Sequence, residues 1–108
     1  MTRPILRAQA EVDLVERTHD HRDEGGADVA KRFFDTAIDA LDAIGRMPGA
    51  GSPRVGELCG IDRLHVRRIA NFSCGWFYFA GGGGRVDVVR LFADPQDIAV
   101  VHADIAPE

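Results

Sequence analysis

Arg67, Arg68 and Arg90 are the residues of this sequence best suited to do chemistry. Each lies on or beside a run rich in apolar residues, Leu64–Ala70 or Arg85–Phe92, which has the pattern of a strand. A planar guanidinium on a small sheet can grip a phosphate or a carboxylate with two parallel hydrogen bonds. The same arginines can instead pair with acidic helices, or stand as edge charges that discourage strand pairing. Trp76 and Tyr78 share one face of the intervening strand by its period of two. They read either as core or as an aromatic anchor for a partner.

Other chemistries have weaker footing. His19 and His21 stand two apart on a helix and point to different sides, while His65 and His102 are isolated. No spacing matches a metal site, and no cofactor is expected. Glu11, Asp13 and Glu16 could in principle form an acid/base pair, but their pattern is that of a solvated helix face. No Gly-x-Ser-x-Gly elbow or Cys–His signature surrounds Ser52, Ser73, Cys59 or Cys74. Gly81–Gly84 is followed by Arg85 and another strand, not by Lys-Ser/Thr and a helix, so it reads as a hairpin loop.

The elements that must hold these residues fit one domain spanning residues 1–108. Two helical stretches, roughly 10–24 and 26–46, come first. In the first, Val12, Val15 and His19 make a thin apolar stripe with Leu14 beside them. Gly25-Gly26 ends it, and Asp28 opens the next helix where a carboxylate suits the dipole. The second helix repeats Val29, Phe33, Ala37 and Leu41 every four residues, widened by Ile38, Ala40 and Ile44; Gly45 and Pro48 stop it. Pro48–Pro53 is a break. Three β-type runs follow, 64–70, 76–80 and 85–92, with a slip near Arg67-Arg68 that reads as a bulge. Pro4–Arg7 is a candidate first strand and 95–105 a candidate final helix, with Ile98, Val101 and Ile105 on one side. The helices can cover only one face of the sheet, so its other apolar face calls for a partner or the tail.

Composition sets limits. The net charge of -4 argues against indiscriminate nucleic-acid binding. The helical half is acidic, with ten carboxylates against four basic residues over 11–42, and the strand half is basic, with six arginines against three acids over 54–90. No apolar run is long enough to span a bilayer, and Met1–Leu6 lacks the core of a secretory signal, so the cytoplasm and reduced Cys59 and Cys74 are expected.

Set in order, these residues resemble the ParE toxins of the RelE/ParE superfamily. The points of contact are Ala10-Glu-Val-Asp13-Leu14, the helical hairpin, and Pro48 with Gly51 in the break. They continue through Leu64-x-Val-Arg67-Arg68, the aromatic strand ending at Tyr78-Phe79, and Val88-Val89-Arg90-Leu91 running into Asp97-Ile98. The resemblance implies an α+β fold, a helical hairpin packed on a small antiparallel sheet with a short C-terminal helix. It implies the toxin half of a type II toxin–antitoxin pair, one that poisons DNA gyrase without being a classical enzyme. A ParD-like antitoxin would silence it by wrapping its C-terminal segment around the toxin; nucleic acid would be met only through that antitoxin, and a membrane not at all. Arg67, Arg68, Arg90 and Asp97 are then the target-facing residues, and Trp76 and Tyr78 the partner-facing ones. The family often reads Arg-Val-Leu-His-x-x-Arg-Asp after the last strand, where this chain has Arg90-Leu-Phe-Ala93-Asp-Pro-Gln96-Asp97. The missing histidine and second arginine weigh against the alternative, a RelE-like ribosome-dependent messenger-RNA ribonuclease, which needs groups to move protons around the phosphate. They also leave a non-toxic binding module as an alternative.

Overall fold

The computed structural model describes residues 3–81, 85–93, 103 and 105. A short strand β1 (Arg3–Leu6) leads into α1 (Ala8–Gly25) and α2 (Ala27–Arg46). A single 3-10 turn (Pro48–Ala50) and a short helix α3 (Arg54–Cys59) follow, and then β2 (Leu64–Arg68), β3 (Gly75–Ala80) and β4 (Arg85–Phe92). No helix among the described residues is long and apolar enough to cross a membrane.

The hairpin turns at Gly26, whose φ of 88° lies in the left-handed region that glycine adopts without penalty. Its amide closes α1 on the Arg22 carbonyl, and its own carbonyl accepts the first bond of α2 from Ala30. α2 buries the face foreseen from its period: Phe33, Ala37, Ala40, Leu41 and Ile44 all enter the core. α1 does not follow its apparent stripe. Val12 is 44% and Val15 53% exposed, His19 is exposed, and the buried side is Ala10, Asp13 and Leu14. The reason is Asp13, whose hydrogen bonds to β4 turn the side with Ala10 and Leu14 inward and leave the two valines facing out.

The sheet runs β1-β4-β3-β2. β2, β3 and β4 are antiparallel, and β1 joins the far side of β4 in parallel, so the sheet is mixed. That parallel edge comes from the topology, because β1 and β4 are joined through the whole helical hairpin and the other two strands. The bulge expected at Arg67-Arg68 is absent, since β2 pairs residue for residue with β3 from Leu64↔Phe79 to Arg68↔Gly75. It lies in β4 instead, where Phe77 faces Arg90 and Tyr78 faces Val88, leaving Val89 as the extra residue.

The sheet has two apolar faces and both are covered. The hairpin packs on Trp76, Tyr78, Val86, Val88 and Leu91. The opposite face carries Leu64, Val66, Phe77, Val89 and Phe92, closed by Cys59 and Ile61 with Val55 and Ile105 against them. α3, which lies between the break and the first β-type run in a stretch that sequence patterning left unassigned, therefore supplies part of the missing cover, and the tail supplies Ile105. Ala103 and Ile105 have helical backbone; the rest of the candidate final helix, with Ile98 and Val101, and Gly82–Gly84 lie outside the described residues.

Trp76 and Tyr78 are 0% exposed, which corrects their reading as partner-facing anchors. No partner can reach them without opening the core. Each also places its polar tip: the Trp76 indole N–H donates to the Ala37 carbonyl at 3.0 Å, tying sheet to α2. The Tyr78 hydroxyl donates to the Pro48 carbonyl at 2.7 Å and accepts the Gly51 amide at 3.1 Å, pinning the Pro48–Pro53 segment. Gly51 is required there, because any Cβ would run into that hydroxyl. Tyr78→Phe strands the Gly51 amide and should lower the unfolding free energy by about 1–3 kcal/mol in urea titration, without changing the far-ultraviolet spectrum of the folded state.

Candidate functional site

The junction of α1 and β4 concentrates the chain's described buried charge. Asp13 follows Ala10 by three residues and precedes Leu14, so the helix turns it inward with them. The bulge at Val89 shifts the register of β4 and sets Arg90 against it. Asp13 Oδ2 accepts from Arg90 Nε at 2.7 Å and from the Leu91 amide at 3.0 Å. Its Oδ1 accepts from Arg90 Nη2 at 3.1 Å and from Gln9 Nε2 at 3.1 Å. All the lone pairs a carboxylate offers are thereby engaged. Arg90 also lies over the Phe92 ring, 4.7 Å from its centroid.

Burial alone would raise the Asp13 carboxyl, but the hydrogen bonds from Arg90, the Leu91 amide and Gln9 outweigh it and hold the group below the usual carboxylate range. A carboxylate so depressed and fully bonded makes a poor general base. It is a structural clamp that fastens the hairpin to the sheet. Beside it opens a cleft of about 140 Å³ lined by Asp13, Glu16, Arg17, Arg90, Leu91, Phe92 and Ala93. Ala93 adds no titratable group to it.

The other expected residues do not gather here. Arg67 and Arg68 stand on β2, the edge strand two places from β4, about 10 Å away at ordinary strand spacing. Being consecutive, they point to opposite faces of the sheet, so the three arginines cannot close on one phosphate. Arg67 is half-buried and sits opposite Trp76, on the side where His65 stacks on Tyr78 with ring centroids 5.5 Å apart. Arg68 is exposed. Arg90, expected to face a target, instead faces Asp13. Asp97 lies outside the described residues.

Sequence reasoning missed Asp13 as the partner of Arg90 by grouping it with the solvated acids of α1. The signal was its place between Ala10 and Leu14, the one acid of that group that shares their helix face. It missed a second tie as well: Arg7, just past β1, makes a two-pronged bond to Asp87 of β4, with Nη2 to Oδ2 at 2.5 Å. No cluster of three His, Cys, Asp or Glu among the described residues could hold a metal. Burial pushes the Cys59 thiol up, and that of Cys74 up to about 11, which keeps Cys74 protonated near neutral pH.

A helical hairpin clamped on a four-stranded mixed sheet is the α+β architecture that the resemblance to small toxins implied. Comparison with known proteins agrees. The chain is 29% identical over 97 residues to "Toxin ParE1" of Mycobacterium tuberculosis (strain CDC 1551 / Oshkosh), covering 90% of this chain and 94% of that protein. The same values hold for "Toxin ParE1" of strain ATCC 25618 / H37Rv. Among solved structures it superposes with a TM-score of 0.73 on a chain of the "Chromosomal ParDE TA system from P. aeruginosa", at 12% identity, covering 87% of this chain and 97% of that one. No family model matches. The chain is thus similar in sequence to proteins named Toxin ParE1, and it shares the fold of a chain of the ParDE system.

Removing the Asp13 charge should cost stability. Asp13→Asn keeps the shape but weakens bonds to a guanidinium left partly buried, and about 2–3 kcal/mol should be lost near pH 7. The folded carboxyl titrates below its unfolded value of about 4, so its contribution is present above that pH and fades as pH falls through the lower folded value. Thermal melts of the two proteins should therefore differ most near neutrality and converge in acid.

Proposed function

We propose that this chain is the toxin half of a type II toxin–antitoxin pair, that it works in the cytoplasm by binding DNA gyrase rather than by turning over a substrate, and that a ParD-like antitoxin silences it. The observation that carries the proposal is similarity to Toxin ParE1 along nine-tenths of the chain, with the fold of a ParDE-system chain beside it. The chemistry of the described residues supports binding over catalysis. Asp13 is saturated, the two thiols are buried, and the arginines are divided between two faces and two strands. The net charge of -4 disfavours a direct grip on nucleic acid.

Within this proposal Arg67 and Arg68 are the target-facing residues. They lie on an edge strand, and an arginine at the rim of an apolar sheet suits a protein contact. Asp97 is the remaining target-facing candidate. Arg90 acts through Asp13, as the residue that keeps hairpin and sheet in register.

The test is induction of the chain alone and together with its neighbouring gene, scoring viability, the DNA-damage response and messenger-RNA integrity. Growth arrest with a damage response, relieved by the neighbour, is the expected result. Arg68→Ala, an exposed change, should weaken the arrest while leaving the melting temperature within about 2 °C, and Arg67→Ala should weaken it further. Arrest with cleaved messenger RNA and no damage would favour the RelE-like ribonuclease. No arrest would leave the non-toxic binding module.

A further inference from the structure

β2 turns two polar side chains toward the hairpin side of the sheet. His65 lies opposite Tyr78 and Arg67 opposite Trp76, and both are half-buried. The hairpin itself packs on β3 and β4, so the pair stands at its rim. His65 is held in one setting. Its ring stacks on Tyr78, with centroids 5.5 Å apart and 22° between the planes. Its Nδ1 lies 2.9 Å from the Arg63 carbonyl oxygen. A carbonyl only accepts, so Nδ1 carries the hydrogen and Nε2 is the ring atom left open. Arg63 offers that carbonyl from a φ of 65°, a left-handed backbone that costs a non-glycine residue and persists only where its surroundings demand it. Burial raises the Tyr78 hydroxyl above its ordinary value, and the Gly51 amide and the Arg67 charge pull against that rise, so the guanidinium lies near the same residue. Among the described residues, no carboxylate is within ion-pair reach of His65 or Arg67.

We infer that His65 and Arg67 form a binding site for one carboxylate, and that it takes a glutamate or aspartate side chain of the protein this chain acts on. The second half rests on the target-facing reading of Arg67 above. The planar fork of Arg67 matches the two coplanar oxygens of a carboxylate. The arriving negative charge favours the imidazolium, so His65 Nε2 takes up a proton from solvent and donates it to the ligand. Around His65, β3 presents Tyr78, and Arg63 and Arg67 flank it in its own stretch of chain. Asp42 and Arg46 near the end of α2 are exposed, Pro48–Pro53 carries no titratable side chain, and α3, with Arg54 and Glu57, packs on the opposite face. The acid that charges His65 is therefore the ligand's own. Phosphate fits less well, because phosphate sites gather several donors, commonly backbone amides. Here the amide of Val66 is taken by Ser52, and those of His65 and Arg67 point to β3. A net charge of -4 also repels a polyanion.

The experiment follows the His65 Cε1–H signal of the full-length chain by NMR, assigned among the four histidines by its loss in His65→Gln. The probes are a blocked diglutamate peptide, its diglutamine counterpart and inorganic phosphate, at matched ionic strength. Diglutamate should shift the signal to saturation and bind about tenfold more tightly at pH 6 than at pH 8, as uptake of a proton requires. Diglutamine and phosphate should leave the signal in place. Arg67→Lys, which keeps the charge but loses the fork, should weaken diglutamate binding about tenfold. His65→Gln, followed on the Arg67 Nε–H signal, should bind with no dependence on pH, and circular dichroism checks that both variants are folded. No shift with diglutamate, or an equal shift with diglutamine, would overturn the site on the wild-type chain alone. Phosphate binding as tight as that of diglutamate would overturn the carboxylate assignment. None of these results touches the toxin reading, which is scored by growth arrest. Peptide binding by the wild type, with both variants arresting growth as the wild type does, would overturn the assignment to the target. A wild-type chain that arrests nothing would overturn the toxin reading and the target assignment with it, and leave the carboxylate site to the NMR result.

Discussion

The Asp13 carboxylate is the constraint on which the rest of the structure depends. It is the one buried charged residue described, and it sits where three things must agree: the rotation of α1, the register of β4 and the distance between hairpin and sheet. Rotating α1 to bury Val12 and Val15 would carry Asp13 away from Arg90 and the Leu91 amide and break the bonds it accepts from both. Two valines bring at most a few kcal/mol of apolar burial, and breaking a partly buried charged pair costs a similar amount or more. The polar clamp therefore decides which side of the helix faces inward, and the apolar stripe faces water.

The clamp also explains the bulge. With regular pairing, Arg90 and Leu91 would each fall one place earlier along the strand, and their donors could not both meet one carboxylate. The extra residue, Val89, is not lost to solvent, because it joins Phe77 and Phe92 in the second core beneath the sheet. One irregularity thus serves both faces. Arg7–Asp87 adds a tie between the end of β1 and β4, and the indole bond from Trp76 to Ala37 fastens the sheet to α2.

How much of this was legible follows from where each signal lives. α2 could be read directly, because its apolar residues recur at helical spacing and nothing competes with them. The hairpin turn was legible in Gly25-Gly26, and the α+β class in the order of the segments. α1 misled because periodicity weighs Val12 and Val15 and gives Asp13 no credit for a hydrogen-bond partner 77 residues away. α3 was hidden by Pro53 and the glycines around it, which mark a break yet still permit six helical residues, with Gly60 in a left-handed cap at φ 71°. Trp76 and Tyr78 were rightly placed on one face, but exposure cannot be read from period two when both faces of a sheet are buried. Arg90 pairs with an acidic helix, one of the two readings its sequence allowed; which acid it meets was a matter of three-dimensional register, which no local pattern encodes.

Whether the clamp governs the fold can be measured directly with a double-mutant cycle on Asp13→Asn and Arg90→Met, following unfolding in urea at pH 7. A coupling energy of about 1.5–3 kcal/mol, at the upper end for contacting pairs, is the predicted result. A coupling within about 0.3 kcal/mol of zero would mean that the two residues act independently, and that the orientation of α1 is set by something other than this bond.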